Sequence, residues 1–325
     1  MSAAEPRVVF LDAATYGDAS LQPFTERWPC TIHELTAPAE VASRLAGHSV
    51  AVTNKVVIDR GILESAEARG LRLIAVAATG TDIIDRQTAQ ALNVKVCNVP
   101  GYAAQSVAQF TMALILELVT RVGRYGETVR EGAWEKSRTF ALFTFRTTEL
   151  RGKSLGIVGY GNIGRAVAEM ARPFGMRILI AARSGSTASF LAGRVSIEEL
   201  FRRSDIVSLH CPLTAETREL VNRQTLSWMK PTAFLVNTAR GALVNEPALI
   251  EALRAGKIAG AALDVISREP PPPGYPIIEA ARELDNLLIT PHTAWTARES
   301  RQRLLYEVAE NISAFLSGEA RNLVV

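Results

Sequence analysis

Short apolar runs alternate with longer stretches of helical spacing along most of the chain. Residues 8–11, 50–53, 73–77 and 94–97 have the length and apolar character of buried strands. Between them, 38–45, 59–68 and 85–92 place apolar residues three and four apart, the spacing of one helix face. The pattern then changes. Residues 105–121 read as one long, mostly apolar helix. Residues 127–149, with Trp134, Phe140, Phe143 and Phe145, have weak periodicity and are expected to form an arm or a connecting loop. From Lys153 a second series begins, with strands expected at 154–158, 177–181, 205–209, 233–237, 260–265 and 286–290. A final helix is expected at 299–316, ended by Gly318. Strands alternating with helices in this way predict an α/β fold with doubly wound parallel sheets.

A length of 325 residues suggests two domains and a core that needs no staples. With 48% apolar and 21% charged residues, the composition is that of a globular protein and excludes a disordered or collagen-like chain. Thirty-six basic residues are offset by 33 acidic ones, and no block of like charge appears, so no nucleic-acid partner is expected. Cys30, Cys97 and Cys211 lie far apart, without a CxxC pair or a His/Cys cluster. This argues against a disulfide scaffold and a structural metal, and for a cytoplasmic location. The N-terminal stretch lacks the basic start and apolar run of a signal peptide. The longest apolar stretch, 110–119, is about half a membrane span and contains Glu117, so no membrane partner is expected.

Candidate chemistry begins at Gly159-Tyr160-Gly161-Asn162-Ile163-Gly164, between the expected strand 154–158 and a helix-patterned stretch. In that context the first glycine makes a tight turn, the second admits a pyrophosphate, and the third lets helix and strand pack closely. The helix N-terminus offers free N–H groups to the anion. The larger domain is thus expected to be a Rossmann-type dinucleotide-binding domain. An acidic residue ending the next strand would select NAD. The chain has Ala181-Ala182-Arg183-Ser184 instead. Arg183 and Ser184 suit a 2′-phosphate, which predicts NADP(H) in preference to NAD(H).

In an open parallel sheet, ligands bind beyond the carboxyl ends of the strands. After 205–209 come His210, Cys211 and Pro212; after 233–237 come Thr238 and Arg240; after 260–265 comes Glu269; after 286–290 comes His292. Cys211, Pro212 and Thr238 are candidates for cofactor contact. If the last three strands are neighbours, Arg240, Glu269 and His292 converge on one crevice. These types suit reduction of a 2-keto acid. Arginine grips a carboxylate with its fork. Histidine donates a proton near neutral pH, and a carboxylate beside it fixes its orientation.

The motifs together resemble the D-isomer-specific 2-hydroxyacid dehydrogenase family, in its glycerate dehydrogenase and hydroxypyruvate (glyoxylate) reductase branch. The matching stretches are TNKVV (53–57), AATGTDIID (77–85), NVPGYAAQSVAQFT (98–111), GKSLGIVGYGNIGRAVA (152–168), HCPLT (210–214), NTARGALVNEPALIEAL (237–253), GAALDVISREPPPPGYP (260–276) and NLLITPHTAWTARESRQR (286–303). The resemblance implies that Arg240 binds the substrate carboxylate, that His292 is the acid–base, and that Glu269 pairs with it. It implies that Asp264 contacts the nicotinamide carboxamide and that the amides near Thr79 and Gly80 hold the substrate carboxylate. Lys55 lies near the substrate side. It further implies a substrate domain of residues 1–101 and 292–325 with an NAD(P) domain of 102–291 inserted, and a homodimer with 127–149 as an arm. Trp134, Phe140 and Phe143 are candidates to line the partner's pocket. Asn245 replaces a frequent aspartate where a helix cap is expected, a role asparagine serves equally well. The expected activity is reversible reduction of hydroxypyruvate or glyoxylate to the D-hydroxy acid. A bulkier keto acid, 3-phosphoglycerate, and a non-enzymatic nucleotide-sensing scaffold like a corepressor remain as alternatives.

Overall fold

A computed structural model describes residues 6–182 and 193–325. The pair expected to meet a 2′-phosphate, Arg183 and Ser184, lies outside the described residues. The chain divides into two compact units, Met1–Ala103 with Thr296–Val325, and Ala104–Trp295. The second unit therefore keeps His292, which the sequence analysis assigned to the other domain. No single helix among the described residues is long and apolar enough to cross a membrane.

The first unit holds β1 (Val8–Phe10), β2 (Cys30–Ile32), β3 (Val50–Thr53), β4 (Leu73–Val76) and β5 (Lys95–Cys97). They form one sheet in the order β2-β1-β3-β4-β5, with every pairing parallel. β1, β3 and β4 are fully buried, which is why their runs are uniformly apolar. β2 was not anticipated from the sequence. It is a short edge strand, Cys-Thr-Ile, only partly buried, so it carries no apolar run to announce itself. The order reverses between β1 and β3, and there Asp12 fills the crevice. Its carboxylate, 2% exposed, accepts the N–H groups of Asn54, Lys55 and Val56. Burial raises its pKa, against the lowering effect of those hydrogen bonds.

The edge at β5 is covered by the chain's own C-terminal residues. Cys97 pairs antiparallel with Leu323, Val324 N–H donates to Val96 O at 2.8 Å, and Asn98 N–H donates to Asn322 O at 3.2 Å. Asn311, on the helix Arg298–Leu316, holds this tail through Arg321 and Asn322 and donates to Asn98 O.

The second unit holds β6 (Ser154–Val158), β7 (Arg177–Ile180), β8 (Ile206–Leu209), β9 (Phe234–Asn237), β10 (Gly260–Leu263) and β11 (Leu287–Ile289), in the order β11-β10-β9-β8-β6-β7. All pairings are parallel. A single bridge, Ala181 to Val195, continues the sheet beyond β7. The order reverses between β6 and β8, the topological switch point of a doubly wound sheet. The predicted α/β class with two doubly wound parallel sheets is observed. The helix Ala104–Thr120 buries Val107, Ala108, Leu114, Ile115 and Leu118. Beyond it, the expected arm begins as a helix, Val122–Arg130, and continues as turns. Trp134 Nε1 donates to Phe140 O at 3.0 Å, and the rings of Tyr125 and Phe145 meet edge to face at 5.0 Å.

Removing residues 322–325 uncovers the outer edge of β5, which stays paired with β4. At roughly 0.5–1.5 kcal/mol net per backbone hydrogen bond, the truncated protein is expected to lose about 2–4 kcal/mol, read as a lower urea midpoint for unfolding. An unchanged midpoint would show that the tail is not part of the sheet.

Candidate active site

β9, β10 and β11 are adjacent, so the loops after them emerge side by side. After β11, Pro291 breaks the ladder and His292 adopts a left-handed backbone with φ +55°. Its Nδ1 lies 2.6 Å from Glu269 Oε2, in the loop after β10. The other carboxylate oxygen, Oε1, accepts the Ile266 N–H at 2.9 Å. Glu269 is thus oriented by its own loop before it meets the imidazole. With Nδ1 bonded to the carboxylate, Nε2 is the ring nitrogen left for a reacting group. Both side chains are about one-third or less exposed. A cavity of about 580 Å³ lies beside them, with Ile266, Pro271, Ile278 and Leu288 among its apolar walls.

Arg240 follows β9. Asn237, fully buried, donates from Nδ2 to Arg240 O at 2.9 Å and accepts the Ala239 N–H at 3.0 Å, closing the turn that presents the guanidinium. The next residue fixes the spacing to the β10 loop. A Cβ on Gly241 would lie 1.9 Å from the Ile266 carbonyl carbon and 2.4 Å from Ser267 N. Glu246, 9% exposed, then accepts the Ser267 N–H at 2.6 Å. Asn245 caps the helix Glu246–Arg254 through the Ala248 N–H at 2.9 Å, as its sequence position suggested.

Asp264 closes β10 and is 1% exposed. Its carboxylate accepts the Thr290 hydroxyl at 2.6 Å and the Thr293 and Ala294 N–H groups at 2.9 Å each.

The glycine loop leads from β6 into the helix Asn162–Ala171. Gly159 has φ +96°, and a Cβ there would lie 2.5 Å from Cys211 N. A Cβ on Gly164 would lie 2.2 Å from Gly159 O, while one on Gly161 would meet nothing within 4 Å. The first and third glycines serve close packing, and the second leaves the backbone open on the outer side. Asn162 is exposed and Ile163 half-buried. This cradle fits a pyrophosphate at a helix N-terminus. Behind it, His210 Nε2 contacts Ser208 Oγ at 2.8 Å, and its buried Nδ1 has no hydrogen-bond partner among the described residues. Burial pushes the His210 pKa down to about 3 and the Cys211 thiol up to about 11. Pro212 is exposed, and Thr238 is buried with its hydroxyl 3.0 Å from that of Thr111.

The model of the D-isomer specific 2-hydroxyacid dehydrogenase NAD-binding domain matches residues 112–294. The chain belongs to this family. It is 37% identical over 319 residues to a glycerate dehydrogenase of Methylorubrum extorquens, covering 98% of each chain. It is 44% identical over 257 residues to a glyoxylate reductase of Aeropyrum pernix, covering 78% of this chain and 76% of that one. Among solved structures it resembles the acyclic imino acid reductase Bsp5 in complex with NADPH and D-Arg. That match has 30% identity and a TM-score of 0.85, and covers 98% of this chain and 100% of the other. The dehydrogenase is thus an oxidoreductase with the NAD-binding domain of its family.

In the first unit, Thr79 and Gly80 follow β4. Thr79 Oγ1 donates to Val99 O at 3.0 Å, and Asn98 Nδ2 donates to Thr79 O at 2.6 Å. Lys55 is exposed, with its N–H on Asp12 at 2.6 Å. Sequence reasoning missed Asn237, Glu246 and Thr290 as supports of the site. All three sit inside matching stretches, but their role depends on which loops meet.

Gly241→Ala tests the spacing. The clash is with backbone, so the variant is expected to lose about 1–3 kcal/mol in urea unfolding. Reductive turnover should fall with it, since the Glu269 loop must shift. Wild-type stability and turnover would mean that the loops can part without cost.

Proposed function

We propose that this dehydrogenase catalyses the reversible, NAD(P)H-dependent reduction of a small 2-keto acid, hydroxypyruvate or glyoxylate, to the D-2-hydroxy acid. The carrying observation is the His292–Glu269 pair at 2.6 Å, set beside the loop of Arg240 in the sheet that bears the glycine cradle. The substrates named for its relatives support the choice of small keto acids. When bound, the reduced nicotinamide supplies the hydride. Arg240 binds the substrate carboxylate through its fork. Thr79 and Gly80 are assigned as substrate-binding residues of the first unit, which we read as the substrate domain. His292 delivers a proton from Nε2 to the carbonyl oxygen. Glu269 holds the ring in one orientation and stabilises the charged form that donates. In the oxidative direction the same nitrogen takes the proton back.

Gly159, Gly161, Asn162, Ile163, Gly164, Cys211, Pro212 and Thr238 are assigned to the cofactor. NADP(H) is preferred over NAD(H) in this reading. Its support is the absence of an acid after β7, where Ala182 is followed by Arg183 and Ser184, and the NADPH complex of the imino acid reductase. The working form is a homodimer in the cytoplasm. Phe140 and Phe143 are 91% and 86% exposed on the arm, an apolar load that a second copy would cover.

The reading is tested by oxidation of NADPH and NADH with hydroxypyruvate, glyoxylate, pyruvate and phenylpyruvate. Turnover is expected with the first two acids, with the lower KM for NADPH. His292→Ala should lower kcat by about 10²–10⁴. Activity confined to phenylpyruvate would move the substrate to a bulkier acid, and binding of NADPH without turnover would favour a sensing scaffold. Sedimentation velocity should give a dimer, weakened at least severalfold by Phe143→Ala. A monomer at all concentrations would reject the assembly.

A further inference from the structure

Glu269 sits in the long connection from β10 to the helix Pro276–Glu283. The stretch after it, Pro270-Pro271-Pro272-Pro273, has no main-chain N–H to donate. Within the connection, the Ile266 N–H reaches the Glu269 carboxylate and the Tyr275 N–H reaches Pro272 O at 3.2 Å. A hold from outside comes from Glu246, the first residue of the helix Glu246–Arg254. Glu246 is 9% exposed, and its Oε1 accepts the Ser267 N–H at 2.6 Å, just before Glu269. At the far end of the connection, beyond the prolines, the hydroxyl of the half-buried Tyr275 hydrogen-bonds the same carboxylate. Burial first, and then that hydrogen bond and the charge of Glu246, raise the Tyr275 pKa, so the hydroxyl keeps its proton and donates. A carboxylate taken this far from water is costly unless donors meet it, and the helix N-terminus adds a favourable dipole.

We infer that Glu246, with Tyr275, braces this connection at both ends and is a positioning residue for Glu269 and, through it, for the His292 ring. The inference rests on the reading of His292 as the proton donor. The prolines make the brace effective. Each ring locks its own φ, so the segment has few ways to move once its ends are held. Held at Ser267 alone, the Glu269 side chain would be free to swing with the proline segment. Held at Tyr275 as well, it is kept where Oε2 meets Nδ1 at 2.6 Å, a contact that tolerates little displacement. Two carboxylates then divide one task. Glu269 orients the ring, and Glu246 orients Glu269.

The chain has four histidines, His33, His48, His210 and His292, so nitrogen-15 histidine NMR can follow each ring. In the wild-type protein the short Nδ1–Glu269 bond is expected to give a strongly downfield ring-proton signal. Glu246→Ala removes the acceptor at both ends of the connection. It is expected to abolish or broaden that signal, leave the other three rings in place, and lower kcat roughly ten- to hundredfold, the order for a displaced catalytic group. KM for the keto acid should stay within about threefold, because the Arg240 turn is held by Asn237 and not by this connection. Glu246→Gln keeps a carbonyl oxygen for the Ser267 N–H and an amide for the tyrosine oxygen, so it should keep the signal and a kcat within about threefold of wild type. Tyr275→Phe frees the far end alone, and an intermediate loss of both is expected. A wild-type signal in Glu246→Ala, whatever the turnover, would overturn the inference. So would a glutamine variant as impaired as the alanine variant, since charge and not the two bonds would then matter. If Glu246→Ala fails to fold, Tyr275→Phe decides. A broadened signal with reduced kcat in that variant upholds the brace, and a wild-type spectrum with wild-type kcat overturns it. Loss of the signal in Glu246→Ala with unchanged turnover would uphold the positioning and refute the role of His292 itself, so the two readings fail separately.

Discussion

A Cβ on residue 241 would sit 1.9 Å from the Ile266 carbonyl carbon, so the loops after β9 and β10 meet backbone to backbone, at a distance that only a hydrogen substituent permits. The polar arrangement of the second unit follows from that contact. Ile266 and Ser267 are turned so that one N–H reaches Glu269 and the next reaches Glu246. The other Glu269 oxygen, Oε2, meets His292 Nδ1. The His292–Glu269 pair therefore ends a series of contacts that runs from the arginine-bearing turn, through the close approach of Gly241, to the hydrogen bond of Ile266 on Glu269. None of these bonds is strong alone, since each replaces a bond to water. Their value is geometric, because each leaves its neighbour a single orientation.

The two units solve the same topological problem in opposite ways. Both sheets reverse their strand order beside their first strand, and both open a crevice at the carboxyl ends there. In the first unit the crevice is closed by the protein's own anion, since the Asp12 carboxylate gathers the N–H groups of residues 54–56. In the second unit the equivalent turn carries glycines, with nothing within 4 Å of a Cβ on Gly161. The space that a carboxylate fills in one sheet is left open by glycine in the other.

Much of this was legible in the chain. Fully buried parallel strands such as 50–53 and 206–209 carry unbroken apolar runs, so the sheets announced themselves. So did the glycine cradle, whose spacing is dictated by clashes the structure makes explicit. Arg240, Glu269 and His292 were found because each follows a strand, and a parallel sheet aligns strand ends. What escaped had no local signature. β2 is a half-exposed edge with no apolar run, and only its pairing with β1 makes it a strand. Glu246 looks like any acid in the first turn of a helix until the Ser267 N–H is found on it. The loop donors gathered on Asp264 escaped as well, because a sequence shows that a carboxylate follows a strand but not how many donors converge on it.

The neutral His210 behind the glycine loop carries one more consequence. Unfolded, its imidazole takes up a proton as the pH falls through its ordinary value near 6.5, whereas the folded unit resists until about 3. Across that window the unfolded chain binds more protons, so this group makes the fold progressively less stable on acidification. Above it, the ring stays uncharged and lends no positive field to the crevice. Attraction for phosphate must then come from backbone dipoles and arginines, whose charge does not change across that range. The end of the sheet that carries the glycine loop thus keeps a constant electrostatic character across that range.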